Sequence, residues 1–284
     1  MKISNLGLSA FLQTAKDLNI TNAAKELGLT QSALSQRISL LEADLEVTLF
    51  VREPRGLKLT EAGEKLLKFA SIQKQLENEL LWDIKGSQEN IAGHFRLAAY
   101  SSVLRSMIIP SLAGLMRAHP GISIDFQSYE MYELPDVLKS AKADLIVMDY
   151  KWGKSGLHES VLGYEEFVVI ESVKHQSPAD VYLDHGPLDN ATESFFKNQS
   201  KVPKLIRRSF MGDVYGIIDA VELGLGRAVM SRHLVNDNKY VKIVPGYQKY
   251  KRPITIHYHD QPYYSRLHSL ILKELEKKAP SFLS

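Results

Sequence analysis

The residues best suited to chemistry lie on one face of a short segment near the N-terminus. At about 100° per residue, Ser32, Ser35, Gln36 and Ser39 fall together, opposite a stripe of Leu34, Ile38, Leu41 and Leu45. Their side chains are short, uncharged and able both to donate and to accept hydrogen bonds. Base edges in a DNA major groove present mixed donor and acceptor patterns, and such side chains match them. Gln31, Ser32, Ser35 and Gln36 are therefore the candidate base readers. Thr30 and Arg37 flank them at positions suited to phosphates. A solvated face of a helical hairpin would also carry serines. The tight turn before the segment favours a helix-turn-helix. In that turn Thr21 is read as the N-cap of the first helix, Gly28 as its left-handed C-terminal residue and Thr30 as the next cap.

Other candidates for chemistry are weaker. Ser71-x-x-Lys74 falls mid-helix without partner motifs. His257-x-His259 puts two imidazoles on one strand without a third ligand, so no metal site is expected. Gly224-Leu-Gly226 follows a helix rather than a strand and is no dinucleotide fingerprint. The chain shows no nucleophile elbow, phosphate-binding loop or zinc-protease motif. No catalytic residues and no cofactor are expected.

Composition sets the frame. The 284 residues suit two or three domains, and zero cysteines exclude disulfides, thiol nucleophiles and cysteine-bound zinc. No apolar run approaches the roughly 18 residues of a membrane span. No secretory signal is evident at Met1 to Ala10. A cytoplasmic protein with no membrane partner is expected. Net charge is only +2, so a polyanion partner must be argued from placement.

The elements that must position the reading face follow in order. Leu6 to Leu18 is predicted as a first helix with Leu8, Phe11, Leu12 and Ala15 on one side. After the reading helix, Val47, Leu49 and Val51 alternate, Pro54 to Gly56 turns, and Leu57 and Leu59 alternate again. This predicts a β-hairpin wing with Arg52, Arg55 and Lys58 near its tip, placed to contact phosphates. A long helix is predicted over Glu61 to Lys85. Leu66, Phe69, Gln73, Leu76 and Leu80 follow a three–four spacing along it, which suits a dimer seam or packing on the chain's own second half.

The run from Leu8 to Leu67 resembles the DNA-binding region of the LysR-type transcriptional regulators. The resemblance is carried by Leu8-x-x-Phe11, by Ala23-Ala24-x-x-Leu27-Gly28-Leu29-Thr30-Gln31-Ser32-Ala33-Leu34-Ser35, and by Ile38-x-x-Leu41-Glu42-x-x-Leu45. Leu49-Phe50-x-Arg52 and Leu59-Thr60-x-Ala62-Gly63 complete it. Glu46 stands where that family usually has glycine, and Asn19-Ile20 replace the usual serine-phenylalanine. The resemblance implies a winged helix-turn-helix over 1–60 and a linker and dimerisation helix over 61–88. It also implies an effector-binding domain over 89–284, similar to periplasmic solute-binding proteins. The implied partners are duplex DNA bearing an interrupted inverted repeat, a second copy of the chain (dimer or dimer of dimers), a small-molecule effector and RNA polymerase.

The second half fits this α/β expectation by pattern. After a polar hinge at Gly86 to Gly93, strands are predicted at Phe95 to Tyr100, Ile122 to Gln127, Ala143 to Met148 and Glu166 to Ile170. Further strands are predicted at Val181 to Leu183, Lys204 to Ile206, Val241 to Val244 and Ile254 to His257, with helices between. Two subdomains are expected, one from about 94–163 with 250–284 and one from about 164–249. Ligands of such sheets sit at the carboxyl ends of strands. Ser101 and Ser102, Asp149 and Tyr150, and Phe210 and Gly212 are the candidate effector contacts, although each also suits simple helix capping. The competing function is a small-molecule-binding α/β protein or enzyme whose N-terminal helices only mediate association.

Overall fold

In the computed structural model, residues 3–53, 56–85, 91–200, 202–203 and 206–283 are described, with only the backbone of 75, 78, 79 and 82–85. Three helices, α1 (Asn5–Asp17), α2 (Ile20–Glu26) and α3 (Gln31–Leu45), pack around Leu8, Phe11, Leu34, Ile38 and Leu41. The N-cap of α2 is Asn19, whose side chain accepts from the Asn22 amide at 3.1 Å, and not Thr21. Leu18 takes a left-handed turn (φ 48°) immediately before it, which starts the helix two residues early. Gly28 (φ 63°) ends α2, with the Leu29 amide bonded back to the Ala24 carbonyl, and Thr30 caps α3 at 3.1 Å.

Glu46 follows α3 in the left-handed conformation (φ 55°). That backbone favours glycine and strains other residues. Glu46→Gly is therefore expected to stabilise the N-terminal unit by about 0.5–1 kcal/mol, read as slower amide exchange in α3.

The wing is β1 (Phe50–Glu53) paired with β2 (Gly56–Leu59). The alternation expected from Val47 fails. Val47 and Val51 are exposed, and the strand begins only at Phe50. The Glu42 carboxylate accepts from the amides of Leu49 (2.7 Å) and Phe50 (3.3 Å), which ties this approach to α3 rather than to a sheet. Helix α4 (Glu61–Lys85) starts at Thr60, whose hydroxyl accepts from the Gly63 amide and donates to the Thr48 carbonyl.

The second half is organised by one seven-stranded sheet in the order β10-β6-β11-β5-β3-β4, with β9 beside β6. These strands are β3 (Gly93–Ala99), β4 (Ile122–Ser128), β5 (Leu145–Met148), β6 (Leu157–Ser172), β9 (Ala228–Ser231), β10 (Val241–Ile243) and β11 (Tyr250–His259). Strand β3 is parallel to β4 and β5, and the remaining pairs are antiparallel. A parallel pair, β7 (Val181–Asp184) and β8 (Arg207–Phe210), adjoins β9. The strand expected at Lys204 to Ile206 is β8, displaced towards the C-terminus, and 204 and 205 are outside the described residues.

Strand β6 is longer than Glu166 to Ile170. Its first half pairs with β11, its second half with β9 and β10, and a bulge at Ile254/Thr255 bends the pair between the two. Both faces are covered, as the apolar strands require. Phe95 and Leu97 pack under α6 (Ile109–Ala118) and α10 (Arg266–Lys278), while Ala98, Ile146 and Met148 pack against α7 (Leu134–Lys139). In the other half, Val168 and Ile170 meet α9 (Val214–Glu222), and Phe167 and Val169 meet α8 (Ala191–Lys197).

Candidate functional sites

On α3, Gln31, Ser32, Gln36 and Ser39 are exposed, with Ser35 and Arg37 half-buried beside them. Arg52 and Lys58 are exposed on the wing, where Lys58 Nζ lies 3.6 Å from the Glu53 carboxylate. A pair this open to water holds little of the cation's charge back from a phosphate. Arg55 is outside the described residues. The expected seam on α4 divides. Leu66 is buried with Leu8, Phe11 and Leu49 in the N-terminal core, so it is not a seam residue. Its position in the first turns of α4, directly over α1, is the reason. Phe69, Leu76 and Leu80 are exposed, and Gln73 bonds its own neighbour Glu77 at 2.8 Å.

The second site is a cleft of about 640 Å³ between the two α/β halves. Its walls are the carboxyl ends of β3, β4, β5, β7 and β9, the position that α/β topology favours for ligands. Ser101, Ser102, Asp149, Tyr150 and Gly212 all line it. Phe210 does not. It ends β8 and lies instead under the Arg208 guanidinium, 5.3 Å from the ring centre. Nor does Ser101 or Ser102 cap a helix. Tyr100 holds the cap position without a side-chain bond, ahead of α5 (Ser101–Val103) and the π-turn Leu104–Ile108 that joins it to α6.

Three residues that the sequence reading passed over dominate the cleft. Arg252 on β11 donates to Asp149 (2.6 Å) from one side and to Asn190 Oδ1 (2.8 Å) from the other, and its Nε donates to the Tyr250 hydroxyl. It thus links the two halves. Tyr100 donates its hydroxyl to Glu165 Oε2 at 3.0 Å. Burial and the adjacent Glu165 and Asp149 carboxylates hold this phenol well above its usual range, so it remains a donor.

Glu165 itself, on β6, is 2% exposed. Burial pushes its carboxyl up to about 7, against the nearby Ser231 and Tyr100 hydroxyls, which favour its ionised form. His233 Nδ1 lies 3.7 Å from Glu165 Oε1, but burial lowers that imidazole to about 4. Between about pH 4 and 7 both groups are neutral, and at no pH are both charged, so the contact is not an ion pair. Glu165 had a sequence signal. It shares a strand face with Phe167 and Val169, where an acid is out of place.

His257 is no metal ligand candidate. It is buried and bonded to Thr255 Oγ1 at 2.7 Å, and His259 meets the Leu138 carbonyl at 3.1 Å. No cluster able to hold a metal occurs among the described residues. Among them, too, no helix is long and apolar enough to cross a membrane.

Two family models match this architecture. Residues 7–64 match the bacterial regulatory helix-turn-helix protein, lysR family, and residues 88–279 match the LysR substrate binding domain. The chain belongs to the LysR family. Among curated relatives, a putative transcriptional regulator of Pseudomonas aeruginosa is 34% identical over 42% of this chain and 39% of its own length. The next two relatives are matched over 46% and 54% of theirs. Solved structures share the fold over almost the whole chain. ArgP of Mycobacterium tuberculosis superposes with a TM-score of 0.78 at 18% identity, covering 98% of each chain. Full-length LysG of Corynebacterium glutamicum with bound effector Arg gives 0.75 at 18% identity, covering 97% of this chain and 98% of that one. The LysR fold thus comprises a winged helix-turn-helix, a long helix and a two-part α/β domain in this chain.

Proposed function

We propose that this LysR-family chain is a sequence-specific, duplex-binding transcriptional regulator whose activity responds to a small molecule held in the α/β cleft. The observation that carries the reading is the exposed, uncharged face of α3 set beside a basic wing, in a chain that also builds a two-walled cleft. Gln31, Ser32, Ser35 and Gln36 read bases, while Thr30, Arg37, Arg52, Arg55 and Lys58 hold phosphates. Phe69, Leu76 and Leu80 form a seam with a second copy, so that two reading helices meet the two arms of an interrupted inverted repeat. Ser101, Ser102, Asp149, Tyr150 and Gly212 face the effector. The solved full-length LysG with bound effector Arg, which shares this fold, supports a small-molecule response. The protein acts in the cytoplasm, where RNA polymerase is the partner its DNA binding would serve.

Selection of bound duplexes from a random pool tests the reading and returns the site with its spacing. On the selected site, Gln31→Ala is expected to cost about 1–3 kcal/mol and to relax preference at one position. Arg52→Ala should weaken all sequences alike and lower the salt slope by about 1. If the purified protein binds no duplex at low salt, the reading fails.

A further inference from the structure

We infer that the cleft's ligand is a small organic cation, an amine or guanidine, whose charged group is met by Glu165; this rests on the effector reading above. Five carboxylates line the cleft (Glu130, Asp149, Glu165, Asp184 and Asp189), and among the described lining residues Arg252 is the one guanidinium or ammonium. That guanidinium is committed. Four of its five N–H groups donate to Asp149, Asn190 and Tyr250, so only one is left for an anionic ligand. Asp184 is matched by Arg208, and Asp149 by Arg252. Glu165 is matched by no cation: Tyr100 meets its Oε2, and its buried Oε1 accepts no hydrogen bond, the neutral His233 Nδ1 standing off at 3.7 Å.

An unpaired buried acceptor is costly, and a ligand N–H removes that cost. A carboxylate ligand would instead add like charge to an acidic wall. The rings of Tyr100, Tyr150 and Phe167 line the same space, and aromatic faces attract alkylammonium and guanidinium groups.

Glu165 makes the binding of a cation pH-dependent. Glu165 is faced by Tyr100 from the end of β3, Asp149 from β5, Arg252 from β11, and Ser231 and His233 from β9 and the turn after it. With its carboxyl at about 7 in the empty cleft, binding a cation requires loss of its proton. Affinity should therefore fall as pH drops below 7, by up to about tenfold per pH unit, whereas an alkylammonium ligand stays charged throughout.

The test is calorimetric titration of the full-length protein with two matched series. One is cadaverine, glutarate and 1,5-pentanediol; the other is tyramine, 4-hydroxyphenylacetate and tyrosol. In at least one series the amine is expected to bind at least about tenfold more tightly than its carboxylate and alcohol. Glu165→Gln should remove that preference and flatten the pH profile while keeping a Tm no lower than that of the wild type at pH 5. A carboxylate or alcohol binding as tightly as its amine, or an amine indifferent to Glu165→Gln, overturns the cation assignment and leaves the effector reading standing. Silence of both series also overturns it. In that case the small-molecule fraction of a cell extract decides the parent reading. A Tm shift in the wild type that the cleft-filling Ser101→Trp abolishes keeps it, and no shift removes it as well.

Discussion

Replacing Gly63 with alanine is expected to loosen the N-terminal unit by about 2–3 kcal/mol and to displace the wing. Gly63 lies in the first turn of α4, directly beneath the end of the segment that leads into β1. A Cβ there would overlap the Leu49 carbonyl oxygen and approach Leu59 Cδ2 to 2.8 Å. The carbonyl cannot swing away cheaply, because it accepts from the Thr60 amide at 3.0 Å. Leu49 is fully buried and cannot follow it. The strain therefore passes to the backbone joining α3, the wing and α4. Amides of Leu8 and Phe11 should exchange about 30- to 150-fold faster. If the proposed function is right, affinity for every duplex should fall at least about tenfold while titrations of the cleft are unchanged. Wild-type exchange in the variant would refute the packing account.

Glu165→Gln is expected to stabilise the α/β half at pH 8 by on the order of 3 kcal/mol, and to change nothing near pH 4.5. The sign follows from the direction of the shift. Burial raises this carboxyl from 4.5 in the unfolded chain to about 7 in the folded one. Well below 4.5 both states are protonated and Glu165 has no pH-dependent effect. As pH rises through the window to 7, the unfolded state gains by ionising while the folded state cannot, and wild-type stability is lost. Glutamine keeps an acceptor for the Tyr100 hydroxyl and carries no charge at any pH. Urea unfolding of both proteins at pH 4.5 and 8 measures the difference. Equal gaps at the two pH values would mean that Glu165 titrates normally and that the cleft floor is wetter than its burial indicates.

The contrast between the two halves explains what the sequence made legible. The N-terminal unit is built from contacts close in the chain, so caps, stripe and wing could be read as local patterns. The departures are local as well. Asn19 takes the cap from Thr21, and Leu66 is claimed by α1 because α4 begins beneath it. The cleft was half legible. Serines and an aspartate at strand ends are where topology puts ligands, and Ser101, Ser102, Asp149, Tyr150 and Gly212 do line it. Arg252 was invisible because its meaning comes from Asp149 and Asn190, which are distant in the chain. Phe210 was misplaced because β8 starts later than its short pattern suggested. A boundary near 164 looked natural in sequence, yet β6 runs unbroken through it as shared framework.

The sheet order also dictates a timetable for synthesis. Strands β3, β4 and β5 leave the ribosome early, but β5 gains its second neighbour only when β11 at Tyr250–His259 emerges, and Phe95 waits for α10. Until then the half-made sheet offers an open apolar edge, the kind that chaperones cover. The winged unit takes nearly all of its core from the first quarter of the chain and can close long before. A nascent chain would thus carry a finished winged unit ahead of an unfinished α/β half, and a premature stop would release the one without the other.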